Sequence, residues 1–110
     1  MIFCSKNEDG VPKWQQVMDG TADVTRRKNP QPIGAIRAVQ PNRGVKAVCH
    51  VKIVSCMRNS EWARLAAKTD WDEEARREGF RTWGGLVDCL MYLHGTRLPD
   101  LYRIEFKKVD

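Results

Sequence analysis

The chain has 110 residues, a length typical of one domain, and its 42% hydrophobic and 30% charged residues exclude a disordered chain. No apolar run approaches the roughly 20 residues of a membrane-spanning helix, which excludes that class of protein. The first ten residues lack the basic start and apolar stretch of a signal peptide. We therefore expect a single domain over residues 1–110, without a membrane partner, in the cytoplasm.

The cysteines and histidines lack the spacing of a metal site. No two of the four cysteines form a CxxC pair, and the two histidines complete no zinc pattern. We therefore expect no metal and no cofactor. The even number of cysteines permits a disulfide framework, but without a signal peptide we expect free thiols in a reducing compartment.

The net charge of +5 is unevenly distributed along the chain. Residues 25–60 contain eight basic residues and no acidic one. Such a stretch is typical of a protein with a phosphate-bearing or otherwise anionic partner, although a solvated surface has the same pattern. Its members are Arg26, Arg27, Lys28, Arg37, Arg43, Lys46, Lys52 and Arg58.

Strand patterns dominate the first half of the chain. Pro12 suits the first turn of a helix, and Gly20 suits its end. The clearest period of two runs through residues 45–54, where apolar residues alternate with lysines and His50. Strands are predicted over residues 1–5, 33–39 and 45–54, and residues 21–27 as strand or loop.

Helical patterns follow Ser60, which is predicted to cap the first of them. Thr69 and Asp72 have the form of a capping box, and Thr82 precedes an apolar stripe that ends at Gly95. Residues 102–107 alternate again and predict a closing strand. A strand that returns after a helical block indicates an α+β domain with one mainly antiparallel, barrel-like sheet.

Three motifs in this order carry a resemblance to a known family. They are GTADVTRR at residues 20–27, EGF at residues 78–80 and YRIEF at residues 102–106. With them the chain resembles the ASCH family (activating-signal-cointegrator homology), whose members are similar to PUA RNA-binding domains. The resemblance implies a single-domain PUA-like β-barrel of mainly antiparallel strands with flanking helices.

Within this family, the chain looks closest to small bacterial amidohydrolases that cleave N(4)-acetylcytidine to cytidine and acetate. The resemblance implies a catalytic Lys, Thr and Glu without a cofactor. By position, the threonine is Thr25 and the glutamate is Glu78, while Ala22 stands where the family has lysine. Arg26 and Arg27 would bind the substrate by holding an oxyanion or a phosphate.

Ala22 leaves nothing obvious to deprotonate Thr25, because a threonine hydroxyl is a weak nucleophile without a base. Three explanations are open. The chain is a binding module that has lost activity, or the base is another residue such as Lys6, Lys28 or Glu78, or a lysine was replaced deliberately. With Ala22 we expect an inactive or impaired enzyme.

Other interpretations of these residues remain open. Thr25 also suits an ordinary strand, and Glu78 also suits an ion pair with a neighbouring arginine. Trp71 is the least explained aromatic residue and would bind substrate by stacking on a base. In the enzymatic interpretation, the partner is a small nucleoside substrate. The alternative function is a non-catalytic module that binds RNA or single-stranded nucleic acid through the acid-free stretch.

Overall fold

The closing strand lies at the centre of the sheet. In the computed structural model, which describes residues 1–66 and 70–109, the sheet order is β1-β4-β3-β2 and all neighbours are antiparallel. The elements in chain order are α1 (Lys13–Asp19), β1 (Val24–Arg27), β2 (Ile36–Val39), β3 (Cys49–Arg58), α2 (Asn59–Leu65), α3 (Trp71–Arg77), α4 (Trp83–His94) and β4 (Tyr102–Lys108). The described residues thus form a small α+β domain with four strands and four helices.

The alternation of apolar residues in β3 and β4 explains the pairing of the two strands. Val51 and Ile53 are fully buried, and Ile53 faces Phe106 across the pair. A register shift lies between Ile53 and Ser55, after which Cys56 faces Ile104. Because the period is two, each strand turns one apolar row to the core.

Two apolar clusters hold the helices against the sheet. The first joins the sheet to α1 and the N-terminal segment through residues such as Phe3, Val17 and Ile104. The second joins α3 to α4, and includes Ala75 and Leu86. The Asp23 amide donates to the Arg77 carbonyl at 2.8 Å, which joins the end of α3 to the residue before β1, one edge of the sheet.

Helix starts agree in part with the predictions. Thr82 caps α4 by accepting a hydrogen bond from the Gly85 amide at 3.1 Å, as predicted. The prediction for Ser60 was wrong, because α2 begins at Asn59, with Arg58 in the N-cap position and no side-chain cap, and the Ser60 hydroxyl donates to Asp100. Thr69 lies outside the described residues, and the side chain of Asp70 caps α3.

The strand predictions were too long at their beginnings. Residues 1–5 are not a strand; they make a single parallel bridge, between Ile2 and Gln40. Strand β3 begins at Cys49 rather than at residue 45, since the preceding residues belong to the loop after β2. Among the described residues, no helix is long and apolar enough to cross a membrane.

Candidate functional site

A cavity of about 400 Å³ lies beside the edge strand β1. Its walls are the N-terminal segment (residues 2–5), Lys13, the end of β1 with Lys28, Glu78 after α3, and one side of α4. The volume lies within the range of small-molecule sites. The lining includes Thr25, Arg26, Arg27 and Glu78, so the structure brings four of the six predicted site residues together.

Lys13 is the central charged group of this cavity. It is only 5% exposed, and its Nζ donates to the carbonyl oxygens of Val24 at 2.8 Å and Glu78 at 2.7 Å. A carboxylate oxygen of Glu78 lies 3.7 Å from Nζ. Burial, with the charges of Arg27 and Arg26 and against the opposing effect of Glu78, lowers the pKa of Lys13 to about 8.

Two acceptors leave one tetrahedral position on the Lys13 nitrogen. A charged ammonium fills it with a third proton, and a neutral amine fills it with a lone pair. With a pKa near 8, about one lysine in ten is neutral at pH 7. The arrangement therefore supplies a base near neutral pH inside the cavity.

Thr25 and Arg27 lie side by side on the cavity wall. Thr25 is 6% exposed, and Arg27 Nε is 3.4 Å from its hydroxyl oxygen. Arg27 also donates to the Ile2 carbonyl at 2.6 Å, and its guanidinium lies 4.7 Å from the ring centre of Phe3. These contacts fix Arg27 between β1 and the N-terminal segment.

Arg26 lines the cavity but is held by a buried ion network. Its guanidinium bonds Glu78 and, at 2.9 Å, Glu74, while Glu74 also pairs with Arg103 at 2.6 Å. Hydrogen bonds from Arg103 and the charges of both arginines lower the pKa of Glu74 against its burial. Arg26 is thus engaged with carboxylates, and its clear effect is to fix Glu78 in place.

Trp71 lies away from the cavity. Its ring packs on Trp83 at 4.9 Å and on Trp62 at 5.5 Å, and it is 39% exposed. Trp62 and Trp83 cover the guanidinium of Arg26 at 4.9 and 5.3 Å. The structure therefore places Trp71 in a tryptophan cluster over the ion network and not among the residues that line the cavity.

Ala22 is a core residue. It is 2% exposed and packs in the cluster that contains Phe3 and Val17. The open space that it borders is a second depression, shared with Gly20 and Lys107, and not the cavity of Thr25 and Glu78. The structure does not bring position 22 to the other predicted catalytic residues.

The sequence analysis missed Lys13 and His94. Lys13 follows the helix-opening Pro12 and precedes Val17 by four residues, so it shares the buried face of α1. That spacing was the available signal. His94, at the end of α4, also lines the cavity, and its Nδ1 is buried without a hydrogen-bond partner among the described residues.

Comparisons with models of known protein families, with curated proteins and with solved structures found no match to this chain. The cavity is therefore the feature of the molecule that points to a function. Among residues 1–66 and 70–109, no group of three or more His, Cys, Asp or Glu side chains is arranged to hold a metal ion.

Proposed function

We propose that the chain is a metal-independent amidohydrolase that removes the acyl group from an N(4)-acylated cytosine nucleoside. The observation that carries this proposal is the buried Lys13, whose nitrogen bonds the Val24 carbonyl next to Thr25 in the cavity that also contains Glu78. The proposed set is Lys13 as base, Thr25 as nucleophile and Glu78 as the carboxylate beside the base. Lysine, threonine and glutamate are the residue types that the ASCH resemblance implies.

The proposed reaction has two steps. Neutral Lys13 takes the hydroxyl proton of Thr25 as Oγ1 attacks the acyl carbon, and Lys13 returns that proton to the exocyclic nitrogen as the C–N bond breaks. Cytidine leaves and the acyl group remains as an ester on Thr25. Water then attacks the ester as Lys13 takes its proton, and Lys13 returns that proton to Thr25 Oγ1 as the ester bond breaks and the carboxylic acid leaves.

The position of Ala22 supports an active enzyme rather than a disabled one. The expectation of inactivity depended on position 22 lying beside Thr25. Ala22 is buried in the core instead, and Lys13 reaches the cavity from α1. We propose that the lysine comes from this helix and that the motif retains only Thr25 and Arg27.

The contacts of the N-terminal segment (residues 2–5) support the proposed PUA-like architecture. The N-terminal segment bonds the end of β2, since the Phe3 amide donates to the Gln40 carbonyl at 2.9 Å. It also bonds β1, since Arg27 donates to Ile2. A segment that touches both edge strands is what a barrel-like closure of this four-stranded sheet requires.

A non-catalytic nucleic-acid module is the second candidate. Its support is a pair of exposed lysines on adjacent strands, Lys52 and Lys107, which face each other across β3 and β4. Arg43 and Lys46 are also exposed in the loop before β3. Such cations suit the phosphates of a single strand.

The test is turnover of N(4)-acetylcytidine, followed by its ultraviolet change on deacylation. We expect the chain to be active as it stands and Lys13→Met to lower kcat/KM at least about 100-fold, the usual effect of a general base. Thr25→Val should lose activity, while Thr25→Ser should retain part of it. Lys6→Met is the matched control, because Lys6 is exposed and does not line the cavity.

Ala22→Lys separates this proposal from the motif-based expectation. A lysine at this 2%-exposed core position should destabilise the fold and add no activity. A gain of activity on Ala22→Lys, or an undiminished rate in folded Lys13→Met, would refute Lys13 as the base.

A further inference from the structure

Arg27 has no carboxylate within ion-pair distance in the described structure. Its partners are the Thr25 hydroxyl, the Ile2 carbonyl and the Phe3 ring, and among residues 1–66 and 70–109 it makes no ion pair. Arg27 is half-buried on the cavity wall, and this burial lowers its pKa against the weaker opposing effects of Cys4 and Glu78. A half-buried guanidinium without a carboxylate favours an anionic ligand.

Lys28 and His94 share this side of the cavity. Both line the cavity together with Arg27, and the charges of Lys28 and Arg27 add to burial in lowering the pKa of His94. His94 Nδ1 is buried and has no hydrogen-bond partner in the described chain. Two cations and an unsatisfied imidazole nitrogen thus lie together on one wall.

Glu78 is the one carboxylate among the described lining residues, and it is already engaged. It bonds Arg26 and lies 3.7 Å from Lys13. The cavity therefore has two unlike sides. On one side the charge of Lys13 is balanced by Glu78, whereas the other side is positive and is formed by Arg27, Lys28 and His94. A ligand that fits both carries an amide at one end and a negative group at the other.

We infer that the positive side is a subsite for a phosphate monoester, so that the preferred ligand is a nucleoside monophosphate rather than a free nucleoside. This inference deepens the proposed function and rests on it for the identity of the base. Arg27 still has donors free for phosphate oxygens, since Nε and one terminal nitrogen bond Thr25 and Ile2. Lys28 supplies a second charge at the exposed side.

Calorimetric binding of cytidine 5′-monophosphate and cytidine tests the subsite without any turnover. A charge-assisted contact of this kind predicts that the monophosphate binds about 10- to 100-fold more tightly. Arg27→Gln should abolish this preference. Arg43→Gln is the matched control, because Arg43 is exposed outside the cavity and should keep the full preference.

Lys28→Gln and His94→Gln guard against a folding defect in Arg27→Gln. Each should reduce the preference for the monophosphate severalfold. Equal affinity of the two ligands for the native chain, or a preference that survives folded Arg27→Gln, would overturn the subsite. Tighter binding of a single-stranded oligonucleotide than of the monophosphate would also overturn it, since the ligand would then be a polymer.

Inorganic phosphate separates this inference from the proposed function. It should raise the unfolding midpoint of the native chain by several degrees, and Arg27→Gln should remove that rise. With that result and no hydrolysis of acetylcytidine, the subsite stands and the amidohydrolase proposal fails. If the chain hydrolyses acetylcytidine but shows no preference for the monophosphate and no effect of phosphate, the amidohydrolase proposal stands and the subsite fails.

Discussion

At the scale of single residues, Lys13 combines burial with strong hydrogen bonding. Two carbonyls and a carboxylate face its nitrogen, yet burial still dominates and lowers the pKa to about 8. Below that pH the lysine is charged in both the folded and the unfolded chain, so burying the charged amine lowers the free energy of unfolding. The residue that we propose as the base is therefore also a residue that weakens the fold at neutral pH.

The stability of the chain should depend on pH through this lysine. Between about pH 8 and the ordinary lysine value of 10.5, the unfolded chain binds more protons, so the free energy of unfolding rises with pH. The gain is roughly 3 kcal/mol across that window. In urea denaturation, the free energy of unfolding of the native chain minus that of Lys13→Met should increase as the pH rises through this window. A constant difference from pH 7 to 10.5 would contradict the low pKa.

The missed lysine shows where residue-level prediction ends. Thr25 and Glu78 could be placed at the site from their motifs, and the structure brings both to one cavity. The helical spacing could place Lys13 beside Val17 on the buried face of α1, but it could not place the amine in the cavity, because its hydrogen-bond partners are the main-chain carbonyls of Val24 and Glu78. Nor could the sequence predict the burial of Ala22, which depends on packing against Phe3 and Val17.

At the scale of elements, the end of α3 positions Glu78. Gly79 has a φ of +89°, a left-handed conformation that reverses the chain directly after Glu78. The Gly79 carbonyl accepts hydrogen bonds from Gln16 at 2.8 Å and Asn7 at 3.0 Å. These contacts tie the turn to α1, so Glu78 and Lys13 are held by the same pair of elements.

Gly79→Ala should therefore disturb both stability and activity. The new methyl group would meet the Gln16 side chain, and the left-handed φ costs about 1–2 kcal/mol for alanine. Thermal unfolding should show the loss, and kcat should fall because Glu78 shifts. Gly84→Ala is the control: it lies in α4 with no close neighbour and should stabilise by about 1 kcal/mol. Equal midpoints for the two variants would contradict this role of the turn.

Element prediction succeeded where a local pattern suffices. Thr82 capped α4, and the alternation of residues 102–107 gave β4. It failed for residues 45–48, whose apolar alternation continues into a loop, because Val45 and Val48 find no core to cover them and are exposed. Burial of a strand depends on a partner, which sequence period alone does not supply.

At the scale of the whole molecule, the acid-free stretch does not form one surface. Arg26 is buried between Glu74 and Glu78, Arg27 lines the cavity, and Arg58 lies near Asp100 at 3.8 Å. The remaining exposed cations are spread over the loop before β3 and the sheet. The positions of the charged residues in the fold are therefore a better indicator of an anionic partner than the net charge of +5.

Salt dependence should distinguish a single phosphate from a nucleic-acid strand. A monophosphate bound at one subsite should give a log–log slope no steeper than about −1, whereas each phosphate of a bound single strand adds about −0.7. Anisotropy of a labelled single-stranded RNA and calorimetry of the monophosphate, from 50 to 300 mM salt, give the two slopes. A steep RNA slope that Arg43→Gln with Lys46→Gln reduces would favour the nucleic-acid module instead.

The central place of β4 has a consequence for the order in which the site is made. Strand β4 follows every other element along the chain, yet both β1 and β3 pair with it. During synthesis, β1 therefore lacks its neighbouring strand until about 75 more residues have been added. Until then, the cavity wall that β1 forms is not in place. A ribosome-bound chain that lacks β4 would hold the motif residues of β1 without the cavity wall, so the proposed activity should require the closing strand.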